Sequence, residues 1–167
     1  MDTLKEYRIP YVGLSIGSHA YEFRLNESFF ALFEYSEIEK GEILVEMTLE
    51  KSGSMINLIF RLSGKSILPC DRCGTELTVD VDGEEKLIVK FGDLTETVED
   101  DVLVLGTNEH EIDISQYLYE YAHLMLPTRR VHDTIENCDP DAIDQLEIED
   151  ENDDKSDPRW DALKGLK

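Results

Sequence analysis

The chain has 167 residues, with 38 Asp and Glu against 16 Lys and Arg, a formal net charge of −22. A surface this negative repels phosphate backbones and anionic lipid, which excludes bulk electrostatic binding to either and favours a basic partner, although acidity also serves solubility alone. The 41% hydrophobic content excludes wholesale disorder, and the length suits one domain with a tail.

The opening residues, Met1-Asp2-Thr3-Leu4-Lys5-Glu6, mix both charges and lack the apolar stretch of a signal peptide. No apolar run approaches the ~20 residues that span a bilayer. Three cysteines make no disulfide framework. These points set the expectation of a cytoplasmic, reducing home and no membrane association.

Residues 11–16 read as a strand stopped by Gly17-Ser18. Tyr21, Phe23 and Leu25 then alternate with Glu22 and Arg24, which gives a strand one apolar and one polar face. Asn26 is placed to cap a helical turn through Phe29, Phe30 and Phe33. Ile43, Val45, Met47 and Leu49 alternate again, Lys51-Ser52-Gly53-Ser54 supplies a turn, and Ile56, Leu58, Phe60 and Leu62 follow at period two. Beyond the first two cysteines, Leu77, Val79 and Val81 lead into Asp82-Gly83, a favourable hairpin pair, before Leu87, Val89 and Phe91. Successive alternating strands predict an antiparallel sheet, curled or barrel-like.

The period changes near residue 113. Asp113-Ile114-Ser115-Gln116 resembles a capping box, and Ile114, Tyr117, Leu118, Tyr121 and Met125 fall at helical spacing up to Pro127. A helix over 113–126 should lay this stripe on the sheet. Residues 131–167 then carry 13 acids and 4 bases, and residues 144–154 hold seven acids and no base. That run reads as a solvated linker. Asp157-Pro158 opens a short helix with Trp160, Leu163 and Leu166 on one side. A helix this short needs a surface to dock on, in its own chain or a partner.

The chemistry-bearing residues are few. Cys70-Asp71-Arg72-Cys73 is a tight turn that can aim two sulfurs at one soft cation. A structural zinc needs two further ligands, and His132 and Cys138 are the nearest pair, with His110 and His123 behind them. Two other readings stand beside this one. The first is a redox dithiol, which usually sits at a helix N-terminus rather than between strands. The second is a plain turn with packed cysteines. Arg129-Arg130-Val131-His132 is the conspicuous basic spot. It serves either the C-terminal dipole of the helix or a contact to RNA phosphate or an acidic patch. No phosphate-cradling glycine motif, nucleophile elbow or His-Glu-x-x-His occurs, so no enzymatic activity is expected.

Several segments taken in order carry a family likeness. They are Ser28-Phe29-Phe30, Gly41-Glu42-Ile43-Leu44, Leu68-Pro69-Cys70-Asp71-Arg72-Cys73, Val89-Lys90-Phe91-Gly92, Ile112-Asp113-Ile114-Ser115-Gln116-Tyr117, Leu126-Pro127-Thr128-Arg129-Arg130-Val131-His132 and Asp157-Pro158-Arg159-Trp160-Asp161-Ala162-Leu163-Lys164. In this order the chain resembles the bacterial YceD family, named for large ribosomal RNA subunit accumulation. The resemblance implies a role in ribosome biogenesis without catalysis. Many members carry a second cysteine cluster in the region matching residues 131–150, where this chain keeps only Cys138.

The expectation is therefore an α+β fold in three parts: a β-rich domain over 1–130 with its helix at 113–126, an acidic and partly disordered segment over 131–156, and a terminal helix over 157–167. Its expected partner is a basic ribosomal protein or the pre-ribosomal large subunit. The alternatives are direct binding of ribosomal RNA through Arg72, Arg129, Arg130 and Arg159 beside His132, and a zinc or thiol-redox module on the cysteine turn. Pro158, Arg159, Trp160 and Leu163 are the partner contacts expected of the terminal helix.

Overall fold

A computed structural model describes residues 3–92, 101–106 and 108–152, with side chains through Leu146. The expected terminal helix, with Pro158, Arg159, Trp160 and Leu163, lies outside the described residues. After a 3-10 turn over Thr3–Tyr7 come β1 (Arg8–Pro10), β2 (Gly17–Asn26), α1 (Glu27–Phe30), β3 (Lys40–Lys51), β4 (Met55–Pro69) and β5 (Glu76–Phe91). They are followed by β6 (Val102–Leu105), β7 (Glu111–Asp113), α2 (Ser115–Leu124), a 3-10 turn over Ile135–Asn137 and α3 (Pro140–Asn152). Five strands form one sheet in the order β2-β3-β4-β5-β6, and β1 pairs with β7 separately. The sheet is mostly antiparallel, with β6 added parallel to β5 from Ile88↔Val102 to Phe91↔Leu105. Among the described residues it ends at β2 and β6 and does not close into a barrel.

The chain divides into two compact units. The first comprises residues 1–68 and 78–128, and the second comprises residues 69–77 and 129–167. In the first unit the period-two pattern does what alternation requires. Ile43, Val45, Met47 and Leu49 of β3 stand on the inner face with Ile56, Leu58, Phe60 and Leu62 of β4, all of them buried. Register pairs Val45 with Leu62 and Met47 with Phe60. Burying this row drives the sheet together, since a one-residue slip would turn the whole row to water. Gly64 fixes the crossing of the two strands: a Cβ there would lie 2.7 Å from the Ile43 Cα.

Asn26 caps α1 as its sequence position suggests, accepting bonds from the Ser28 amide at 3.1 Å and the Phe29 amide at 3.3 Å. Phe29 and Phe30 are thereby buried, and Tyr7 packs edge-on to Phe29 at 4.9 Å. On α2, Leu118, Tyr121 and Ala122 face inward, and Tyr121 meets Phe60 at 5.3 Å.

Four sequence expectations differ from the structure. Residues 11–16 form no strand; the strand begins where they were expected to end, at Gly17. Lys51 holds that loop by donating to the Tyr11 and Leu14 carbonyls, both at 2.8 Å. Asp82-Gly83 is no hairpin turn, because β5 runs through it unbroken. Leu77, Val79, Val81, Leu87 and Val89 keep one parity across the pair, and at Gly83 the Met125 sulfur approaches to 2.9 Å of where a Cβ would stand. Glycine here admits a neighbour and does not reverse the chain. The capping box at α2 is half made. Asp113 accepts from the Ser115 amide at 3.0 Å, while Gln116 reaches forward to Glu120. Residues 140–152, read as part of a solvated segment, form α3.

Candidate metal centre

Among its described side chains the second unit shows no apolar interior: its buried part consists of Cys70 and Cys138.

Local structure brings four ligand atoms together. Past Pro69, the Cys70 amide donates to the Thr75 carbonyl and the Gly74 amide to the Cys70 carbonyl, each at 2.8 Å. Gly74 adopts φ +74°, the left-handed conformation that closes such a turn at no steric cost. Asp71 then stitches this turn to a segment 59 residues away. Its amide donates to the Arg130 carbonyl at 2.6 Å, and its carboxylate accepts from the Arg130 amide at 2.7 Å. The Arg130 guanidinium adds an ion pair to Asp71 at 3.5 Å. Two residues on stands His132. The 3-10 turn over Ile135–Asn137 brings back Cys138, whose amide donates to Ile135 at 2.9 Å. Asp139 caps the start of α3 by accepting from the Asp141 amide at 2.9 Å.

The result is a cluster of Cys70, Cys73, His132 and Cys138 whose ligand atoms all lie within 4.8 Å of one another. His132 Nδ1 is 3.7 Å from both the Cys73 and the Cys138 sulfur. Zinc–sulfur bonds of 2.3 Å in a tetrahedron separate ligand atoms by about 3.7 Å, so the spacing fits. Three thiols with one imidazole is a recognised structural zinc set. All three cysteines are free thiols rather than a disulfide.

The surroundings favour thiolates at the turn. The Thr75 hydroxyl, 3.1 Å from the Cys73 sulfur, and the Asp139 amide hold the Cys73 thiol at about 6. Burial pushes the Cys70 thiol up, but the Arg72, Cys73 and His132 amides more than offset it and leave it lowered. Burial likewise opposes the charged imidazole of His132, yet the two turn sulfurs raise its pKa overall. Cys138 is raised by burial, against Arg72, which donates to its sulfur at 3.5 Å. A soft cation shared by the four groups would take up the negative charge that gathers here.

Other candidates stand apart. His123 donates to the Tyr119 carbonyl at 2.7 Å and packs against Phe30, and His110 is exposed. Neither belongs to the cluster. The basic spot is largely spoken for: Arg72 faces Cys138 and Arg130 is paired with Asp71, while Arg129 is exposed. Asp71 and Thr75 shape the centre, and no sequence reading marked them. Asp71 lies inside the Cys-x-x-Cys turn, but its partner is too remote for any spacing rule.

Comparison with known proteins gives one match. The family model described as large ribosomal RNA subunit accumulation protein YceD matches residues 58–167, from β4 through the cysteine turn and α2 to the C-terminal stretch. No curated protein and no solved structure matches.

Proposed function

The chain belongs to the YceD family, and from that premise we propose that it is a non-enzymatic factor in ribosome biogenesis. It supports accumulation of the large-subunit ribosomal RNA by holding a basic ribosomal protein. The observation that carries this reading is the family match taken with the charge of −22. Carboxylates facing a cationic protein release its counter-ions and suppress its premature contact with RNA. Denser phosphate charge on the ribosomal RNA then draws the cargo away.

The second unit is where we place cargo binding. Cys70, Cys73, His132 and Cys138 would hold zinc, which supplies folding free energy to a unit that buries only two of its described side chains. The ordered unit presents the acidic α3 and leads into residues 157–167 with Trp160 and Leu163. Direct RNA binding through Arg129 and its neighbours is the competing outcome.

Pull-down of tagged full-length chain from cell extract at graded salt tests the reading. Small basic ribosomal proteins are expected in the eluate, released as salt rises through screening of the carboxylates. Recovery of bare ribosomal RNA, lost on Arg129→Ala, would overturn it in favour of RNA binding. A chain ending at Ser156 should lose the cargo if Trp160 and its neighbours contact it.

A further inference from the structure

Strand β2 is the edge of the five-stranded sheet. Among the described residues it pairs with β3 alone, from Gly17↔Lys51 to Asn26↔Glu42. Ten residues of backbone donors and acceptors therefore alternate along an edge with no second strand among the described residues. Long edges of this kind are usually shortened, bulged or guarded by like charges, because they template pairing.

The inner row of β2 is also incompletely covered. On β3 the inner residues Ile43, Val45, Met47 and Leu49 are all buried. On β2, His19, Tyr21 and Phe23 remain half-exposed and only Leu25 is buried. Tyr21 and Phe23 stack with ring centroids 6.4 Å apart. A notch of about 470 Å³ opens between the strand, at Glu22, Phe23 and Arg24, and the N-terminal 3-10 turn, at Glu6 and Tyr7, where the Tyr7 ring lies 5.9 Å from that of Phe23. Successive residues of a strand point to opposite faces, so a hollow reaching all three lies along the backbone edge, with Glu6 and Tyr7 as its far wall.

We propose that β2 pairs antiparallel with β2 of a second copy, about a two-fold axis at Phe23, to make a continuous ten-stranded sheet across a dimer. The sequence of the strand is self-complementary in that register alone. With Phe23 opposite the partner's Phe23, Glu22 falls opposite the partner's Arg24, and Arg24 opposite the partner's Glu22. Tyr21 falls opposite the partner's Leu25. One face thus gains two opposite-charge pairs, and the other gains an aromatic and aliphatic row that completes the half-exposed inner layer. Any shift of the register breaks the pairing of charges. Glu22 and Arg24 lie 3.8 Å apart within one strand, with side chains 60% and 70% exposed. So weak a surface pair is readily redirected across the interface. A basic extended peptide is a poorer occupant, since Arg24 would oppose it.

Two chains of this net charge repel, so dimerisation should be read at physiological ionic strength, where that repulsion is screened beyond roughly 8 Å. Sedimentation equilibrium of the full-length chain is the test. Wild type should be a reversible dimer. Glu22→Arg alone, or Arg24→Glu alone, places like charges opposite each other twice, and should weaken the dimer at least about tenfold. The double variant Glu22→Arg with Arg24→Glu restores both pairs and should return to within about threefold of wild type. Both positions are exposed, and circular dichroism of each variant confirms the fold. A monomeric wild type would overturn the proposal. So would a dimer indifferent to the single reversals, or one that the double variant fails to rescue.

Discussion

The two units of this chain differ in what they bury among the described residues. The first buries whole strands of Ile, Val, Leu and Phe side chains, with α2 laid on the inner face through Tyr121 and Phe60. Among its described side chains the second buries two cysteines and leaves the others half or fully exposed. Units of a few dozen residues that bury so little are of the size at which a metal or a disulfide commonly supplements burial. The contrast teaches that a sheet can be read as a sum of apolar areas, whereas the C-terminal unit must be read from its ligand set.

Substitutions can break that contrast one side at a time. The largest effect is expected for Cys73→Ser. One of four ligands is lost, bound zinc should fall from one equivalent to none by atomic absorption, and the second unit should lose its order. The denaturant midpoint of the first unit should not move. Phe60→Ala attacks the other side. It empties a fully buried site between Met47 and Tyr121 and should cost about 3–5 kcal/mol in urea unfolding, with zinc content unchanged.

How far the sequence disclosed this arrangement follows the same division. Alternation disclosed the sheet, because each apolar residue at period two reports its own burial; the parity of Leu77 to Val89 even contained the correction at Asp82-Gly83. The four metal-ligand candidates were legible as residue types, and the structure brings all four together. What held them in place was not legible. Asp71 and Arg130 are 59 residues apart, and backbone bonds to a remote carbonyl leave no mark in the pattern. The pairing of β6 parallel to β5 was equally silent, since four apolar residues carry no signal of direction.

Two smaller effects sharpen the comparison. Asp71→Ala removes a half-exposed carboxylate that accepts from Arg130, and should destabilise the second unit by about 1–2 kcal/mol, read as a lower chelator concentration for half-release of zinc. In the first unit, Asp113→Ala should cost about 1 kcal/mol through loss of the turn it makes at the start of α2. Burial pushes the Asp113 carboxyl up, but Ser115 and Arg8 bring it below its ordinary value. Its contribution is therefore whole above the ordinary aspartate range and fades as pH falls through the lowered folded value. The variant should show a shallower loss of thermal stability on acidification than wild type does.

Hydrogen exchange of the full-length chain, with and without a zinc chelator, tests the division most directly. Chelation should abolish amide protection at residues 69–77 and 129–146 and leave β3 and β4 protected as before. Protection of the second unit that survives chelation would contradict a metal-held unit, and loss that spreads equally through β3 and β4 would contradict two independently ordered regions.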